Sequence, residues 1–259
     1  MNRTLNRMRD RVLAGARLRK GMTVVDVGAG TGLLALDATR RVGESGRGIA
    51  LDVSHAALVE CRRARRAGDP LGAMVGDALS LPLPDQCAEA VVTRSALIYV
   101  VDKTRAAAEF YRVLRPGGRV SVFEPINSQY RTFADVDLSD LEPARTQVVE
   151  RWMTGADAGG AMTGFDERDL VGYFADAGFE SVELTLEVTR RRAQAHPREV
   201  AASLTMRPNP NMASYEETAR VVLGDGAADH LHELATALTS RPSTSVSANA
   251  FLRARRARR

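Results

Sequence analysis

Cysteine is nearly missing: Cys61 and Cys87 are the only two in 259 residues, with no CxxC pair between them. That excludes a disulfide-stapled scaffold and a zinc knot, and points to a reducing compartment. Histidine is almost as sparse, with four residues. His230 and His232 are two apart, point in different directions on a helix and make no metal pair, so no metal is expected. Long apolar runs are missing too. No stretch could span a bilayer, and the basic N-terminus, MNRTLNRMRDRVLAGARLRKG, lacks the apolar core of a signal peptide. The expected home is the cytoplasm, with no membrane partner. Lysine is confined to Lys20 and Lys103, against a large excess of arginine. Such a bias matches the codon usage of a GC-rich genome and is no sign of phosphate contacts in itself.

Charge of one sign is local. The net charge of +4 rests on the five arginines between Arg253 and Arg259, without which the chain is close to neutral. These residues read as a solvated, frayed tail, and nucleic acid is not the favoured partner. What is abundant is core material, 44% of the residues being hydrophobic. This is enough for one large domain that folds unaided, and a homodimer is compatible with it.

The pattern along the chain alternates buried-type strands with helices. Thr23 to Val27 is a short β-branched run, and a helical pattern follows from Thr31 to a stop near Gly43. GIALDV, residues 48 to 53, is a second strand, followed by a helix capped by Ser54 and running to about Ala67, with Gly68 as its stop. Ala73 to Val75 and Ala88 to Thr93 give two more strands, separated by LPLPDQ. Asp102 caps a helix that RPGG, 115 to 118, terminates, and Arg119 to Glu124 returns as a strand. Strands and helices in this alternation predict a doubly wound α/β domain with a parallel sheet covered on both faces. An N-terminal helical segment, 1–20, precedes its core, 21–126. Two insertions, 127–164 and a helical 191–240, are expected as lids over a pocket. Between and after them lie a core helix and strand, 165–190, with Asp166 as cap, and a final strand, 241–252, before the tail at 253–259.

The stretch VVDVGAGTGLLAL, residues 24 to 36, carries the ligand signal. Gly28, Gly30 and Gly32 leave the backbone bare after the first strand, so that a nucleotide-type ligand can approach main-chain N–H groups. A dinucleotide fingerprint needs a glycine at position 33, and Leu33 stands there. The D-x-G-x-G-x-G pattern instead resembles motif I of the class I S-adenosylmethionine-dependent methyltransferases. The likeness continues through Asp52, Gly76-Asp77-Ala78, TRSALIYV at 93 to 100 and RVLRPGGRVSVFEP at 112 to 125, which resemble the branch of ubiquinone and menaquinone biosynthesis.

The resemblance implies a Rossmann-like, seven-stranded sheet, mostly parallel with the last strand antiparallel, and S-adenosylmethionine as cofactor. It places the cofactor against Asp26, Gly28, Ala29, Gly30, Gly32, Asp52, Val53, Asp77, Ala78, Arg94 and Ser95. Asp52 is expected on the ribose hydroxyls, Asp77 on the adenine amino group, and Asp26 either ordering the loop or reaching the ammonium of the methionine part. His55 and Glu124 are the candidate catalytic groups, and Tyr99, Asn127 and Tyr130 the candidate substrate contacts. No Asn-Pro-Pro or Asp-Pro-Pro motif and no Pro-Cys nucleophile is present, which disfavours base and glutamine methylation. The expected reaction is methyl transfer, by in-line displacement, to a small natural-product or quinone-like molecule. Methylation of RNA or a peptide, aided by the arginine tail, remains a second reading. A cofactor-holding module without turnover, or an NAD(P)-dependent oxidoreductase, is a third.

Overall fold

A computed structural model of the protein describes residues 3–130, 138–156, 160–207, 213–240 and 242–258. In chain order its elements are α1 (Arg3–Gly15), β1 (Thr23–Val27), α2 (Ala35–Val42), β2 (Arg47–Asp52), α3 (His55–Ala64), β3 (Leu71–Val75), β4 (Ala88–Arg94), α4 (Lys103–Val113) and β5 (Leu114–Pro125). There follow α5 (Glu142–Ala156), α6 (Glu167–Asp176), β6 (Glu180–Ala193), α7 (Pro197–Thr205), α8 (Tyr215–Leu223), α9 (Ala227–Ser240) and β7 (Ser243–Arg255). The strands form one seven-stranded sheet in the order β3-β2-β1-β4-β5-β7-β6. Strands β1 to β5 pair in parallel, and β7 runs antiparallel to β5. The expected doubly wound, Rossmann-like α/β sheet is therefore present.

The strand order reverses at β1 and β4, which lie side by side in the sheet. Val24, Val25, Val27, Ala90, Val91 and Val92 are all buried, so both faces of these central strands must be covered. On one face α1 supplies Val12 and Leu13, and α2 with its N-cap Leu34 supplies Ala38, against Val24, Ala90 and Val92. Helix α4 packs against α6, where the rings of Phe110 and Phe174 lie 6.3 Å apart. The carboxyl ends of β1, β2, β3 and β4 are then neighbours along one edge, where a doubly wound sheet holds its ligand.

Several boundaries differ from the sequence pattern, each for a local reason. Helix α2 starts at Ala35, not Thr31, because its first free amide is capped from outside the helix: Asp26 Oδ2 accepts from the Ala35 N–H at 2.8 Å. Helix α3 has the expected cap, with the Ala57 N–H donating to Ser54 Oγ at 3.3 Å, but ends at Ala64 instead of Ala67. Asp69 Oδ2 accepts from the Arg66 amide and closes a turn there, for which Gly68 takes φ +88°. Strand β5 begins at Leu114, earlier than Arg119, and a register shift opposite Ala88 and Ala90 absorbs the RPGG turn. Asp102 caps α4 as expected, and Asp166 opens α6 in a full capping box with Asp169.

The tail expected to fray is instead folded as far as Arg258, the last described residue. Arg253 and Arg255 belong to β7, in register with Ser121 and Arg119. Arg256 closes the end of α4: one Nη1 donates to the Tyr111 and Leu114 carbonyls, both at 2.8 Å, and the guanidinium lies over the Tyr111 ring. The Gly117 N–H donates to the Ala257 carbonyl at 2.8 Å. Charge composition reports only the arginines; what orders them is the row of orphan carbonyls at a helix C-terminus. Removing 253–259 would cut into β7, so a truncation cannot isolate a role for the tail in substrate binding.

Contacts divide the chain into two compact units, the first over 1–128, 161–187 and 249–259, the second over 129–160 and 188–248. The second contains α5, α7, α8 and α9. Val148, Ala219 and Ala227 form one small core there, and Val200, Leu234 and Leu238 another. The Tyr215 hydroxyl lies 3.0 Å from His230 Nε2 across the α8–α9 contact.

Candidate active site

The glycine loop takes its shape from two needs. Gly28, Gly30 and Gly32 have φ of +71°, +53° and +93°, which side chains rarely tolerate. At Gly28 a Cβ would stand 2.4 Å from the Ala96 Cβ, and at Gly32 2.6 Å from the Cys61 Sγ, so both are bare for packing. Gly30 differs: nothing lies within 4 Å of its would-be Cβ, and its backbone is open to a ligand. Ala29, between them, is buried and donates its N–H to the Leu51 carbonyl at 2.9 Å.

Asp52, the last residue of β2, pins this loop. Its Oδ2 accepts from the Gly30 N–H and its Oδ1 from the Ser54 N–H, both at 2.8 Å. A carboxylate has about four acceptor positions, so capacity for further donors remains. Val53 beside it is 69% exposed, an apolar side chain left in solvent at the edge of the loop. Across β3, the Gly76 N–H donates to the Asp52 carbonyl at 3.1 Å, which places the Gly76-Asp77-Ala78 turn next to it. Asp77 is exposed, and its Oδ1 accepts from the Leu79 N–H at 2.9 Å, so it also forms its own turn.

Asp26 lies beneath the loop, 2% exposed. One oxygen caps α2, while Oδ1 is buried with no hydrogen-bond partner among the described residues. Burial pushes its pKa up to about 7; the Ala35 N–H and the Arg94 guanidinium at the end of β4 oppose that rise, and Asp52 adds to it. The Thr93 hydroxyl, on the neighbouring strand, is likewise buried without a partner among the described residues. Two orphaned polar atoms under an open glycine loop fit a polar, positively charged ligand group better than an empty core.

Glu124 is wholly buried near the end of β5. Its Oε1 accepts from the Ala96 and Leu97 N–H groups at 3.1 and 2.9 Å, and Oε2 from the Ile98 N–H at 3.3 Å. Burial raises its pKa to about 7, against those three amides and the Lys103 ammonium. Ser95, just before these amides, has φ +51° and donates its N–H to the Phe123 carbonyl at 2.9 Å. The carboxyl therefore holds the turn after β4 and does not reach solvent, which is the geometry of a positioning residue. His55 is the exposed first residue of α3 and, among the described residues, makes no hydrogen bond that would set it up as a base. Tyr99, 44% exposed, follows the turn that Glu124 holds, and Asn127 is half-buried after β5. Tyr130 is exposed and belongs to the second unit.

The structure thus gathers Asp26, the glycine loop, Asp52, Val53, Asp77, Ala78, Arg94 and Ser95 along one sheet edge. Lys103 was not singled out by sequence reasoning, although it is one of only two lysines in an arginine-rich chain. It is buried, with Nζ donating to the Val100 and Ala161 carbonyls at 2.8 and 2.7 Å and lying 4.5 Å from the centre of the Phe165 ring. An ammonium, not a flat guanidinium, satisfies two carbonyls in so small a space.

Residues 25–122 match the family model described as a methyltransferase domain. The chain is 33% identical over 178 residues to the ubiquinone/menaquinone biosynthesis C-methyltransferase UbiE of Pectobacterium carotovorum, an alignment covering 64% of this chain and 69% of that one. The chain belongs to the class I S-adenosylmethionine-dependent methyltransferases of the UbiE type. Its cofactor is S-adenosylmethionine, and the dinucleotide alternative falls away. The same architecture is found in the YcgJ protein of Bacillus subtilis, with a TM-score of 0.63, 17% identity, and 97% and 99% of the two chains covered. A phosphoethanolamine-type N-methyltransferase of Haemonchus contortus, solved with S-adenosylhomocysteine, gives 0.56 at 15% identity, covering 97% of this chain and 52% of that one. At these identities the two structures bear on the fold alone. Among the described residues no helix is long and apolar enough to cross a membrane, and no cluster of three or more metal-ligating side chains occurs.

The two raised carboxyls make the stability of the free protein depend on pH. Asp26 and Glu124 titrate near 7 when folded and near 4 when unfolded. Between those values the folded state holds protons that the unfolded chain has released, so stability falls as pH rises from about 4 to about 7 and levels off above. Each group contributes a slope of at most about 1.4 kcal/mol per pH unit. Urea unfolding at pH 5 and pH 7 is expected to show this decline, and Asp26→Asn is expected to reduce it to the share of Glu124. An equal decline in that variant would contradict the assignment of Asp26.

Proposed function

We propose that the protein transfers a methyl group from S-adenosylmethionine to a small aromatic acceptor of the quinol class. The cofactor supplies an activated methyl on a sulfonium. The protein's own part is to hold it, align the acceptor and keep water from the sulfonium; the leaving group is good, so a dedicated base is optional, and the proton that the acceptor gives up for the methyl passes to bulk solvent. In this reading Asp52 accepts from the ribose hydroxyls while keeping Gly30 in place. Asp26 Oδ1 faces the ammonium, Asp77 accepts from the adenine amino group, and Val53 covers the adenine. Ala29, Gly28, Gly32 and Ala78 shape the walls, and Arg94 and Ser95 form the floor after β4. Tyr99 and Asn127 serve as acceptor contacts.

The observation that carries the cofactor half is the pairing of an open Gly30 with Asp52 and the orphaned Asp26 Oδ1. Support for the acceptor half comes from relatives named for ubiquinone and menaquinone biosynthesis. Incubation with methyl-labelled S-adenosylmethionine and a reduced, demethylated naphthoquinone is expected to put label into the solvent-extractable fraction. Label that appears only in precipitated RNA or protein would overturn the small-molecule reading.

A further inference from the structure

The arginines at the end of the chain meet two others at the opposite edge of the sheet from the glycine loop. Arg119 in β5 is level with Ala90 of β4 and, through it, with Val24 near the start of β1. Arg255 lies opposite Arg119 in register, and Arg253 opposite Ser121. Between them is a cleft of about 180 Å³, lined by Arg17, Arg119, Ser181, Glu183, Arg253 and Arg255.

Its charge is not balanced. Glu183 takes Arg253, and Glu180 stands 3.7 Å from Arg255. Among the described residues neither Arg17 nor Arg119 forms a close ion pair, and the one carboxylate in the cleft wall, Glu183, is shared: Arg253 holds its pKa down first, with Arg17 and Arg119 adding to that. Burial, with the guanidinium groups of Arg17, Arg255, Arg253 and Arg258, draws the Arg119 pKa below its ordinary value. The Arg255 Nε is buried without an acceptor among the described residues. Arg17 and Ser181 both sit at positive φ, +50° and +52°, where glycine is the unstrained choice, and both line the cleft.

We propose that this cleft is a second binding site, separate from the cofactor cradle, for a small phosphate-bearing anion of the mono- or diphosphate class. Guanidinium groups present paired N–H donors that match phosphate oxygens, and the Ser181 hydroxyl adds a further donor. An anion seated there would give Arg255 Nε its missing acceptor and relieve the repulsion around Arg119. Glu183 in the wall and Glu180 beside Arg255 argue for a compact anion and against an extended strand of nucleic acid, whose flanking phosphates they would repel.

The test is calorimetric titration of sodium diphosphate into the full-length protein at fixed ionic strength. Saturable one-to-one binding is expected, at least about tenfold weaker in Arg17→Gln and in Arg119→Gln, and unchanged in Arg63→Gln on the exposed surface of α3. Arg17 is exposed, so its variant keeps the test valid should Arg119→Gln fail to fold. Excess S-adenosylhomocysteine should leave the binding intact; competition between the two would place the anion in the cofactor site and overturn the proposal. Sedimentation with phosphatidylglycerol vesicles, lost in Arg17→Gln and reversed by diphosphate, would identify a lipid headgroup as the source. Binding of free diphosphate without sedimentation would identify a soluble one. No saturable binding, equal binding in all variants, or tight binding of an RNA oligomer that diphosphate does not displace would overturn the proposal.

Discussion

Asp52→Ala is expected to weaken S-adenosylmethionine binding at least about a hundredfold, while the protein stays folded. Two hydrogen bonds from a vicinal diol to a carboxylate are each worth about 1.5–3 kcal/mol, and a hundredfold loss corresponds to about 2.7 kcal/mol. The structure adds a second cost. Asp52 also accepts from the Gly30 and Ser54 amides, so its removal frees the loop as well as the ribose contact. Asp52→Asn retains an acceptor oxygen but turns an amide NH2 toward one of these donors, and should fall between the two. Titration calorimetry on the three proteins measures the series. An unchanged dissociation constant in Asp52→Ala would remove Asp52 from the cradle.

Glu124→Ala is expected to cost stability above all. It strands the Ala96, Leu97 and Ile98 amides beside a cavity, and buried donors without acceptors cost about 1–3 kcal/mol each. A loss of about 3 kcal/mol or more follows, or roughly 10 °C in Tm for a chain of this size. Glu124→Gln keeps one acceptor and the volume, and should recover most of the stability. Its kcat distinguishes positioning from proton transfer. With Glu124 holding the turn, the Gln variant keeps kcat within about tenfold and shows the wild-type pH profile. A group that moved a proton would lose about 10² to 10⁴ in kcat on this change.

The sheet and the cofactor edge were legible because their signals are local. A β-branched run, a glycine triplet and an acid at the end of the next strand lie within a few dozen residues. The physics that fixes them, bare backbone and strand burial, acts over the same span. Ser54, Asp102 and Asp166 could be read as caps for the same reason.

What escaped the sequence depends on partners distant in the chain. Glu124 sits at the end of a strand, where an acid suggests chemistry, and its partners are amides 26 to 28 residues earlier. The arginine tail looks like a solvated run until the carbonyls of Tyr111 and Leu114, more than 140 residues before Arg256, are brought to it. The early end of α3 depends on Asp69 competing for an amide that helix propensity assigns to the helix. In each case the residue type was visible and its partner was not.

The most direct test of the cradle formed by Asp26, Gly30 and Asp52 is the proton balance of cofactor binding. S-adenosylmethionine is titrated at pH 6 into wild-type protein and Asp26→Asn, each in two buffers of different ionisation heat. At that pH the cofactor's own amino group is already charged, whereas Asp26, with a pKa near 7, is largely protonated. The expected result is one-to-one binding with release of close to one proton in the wild type and none in Asp26→Asn. The same proton count in both proteins, or no binding of S-adenosylmethionine at all, would contradict it.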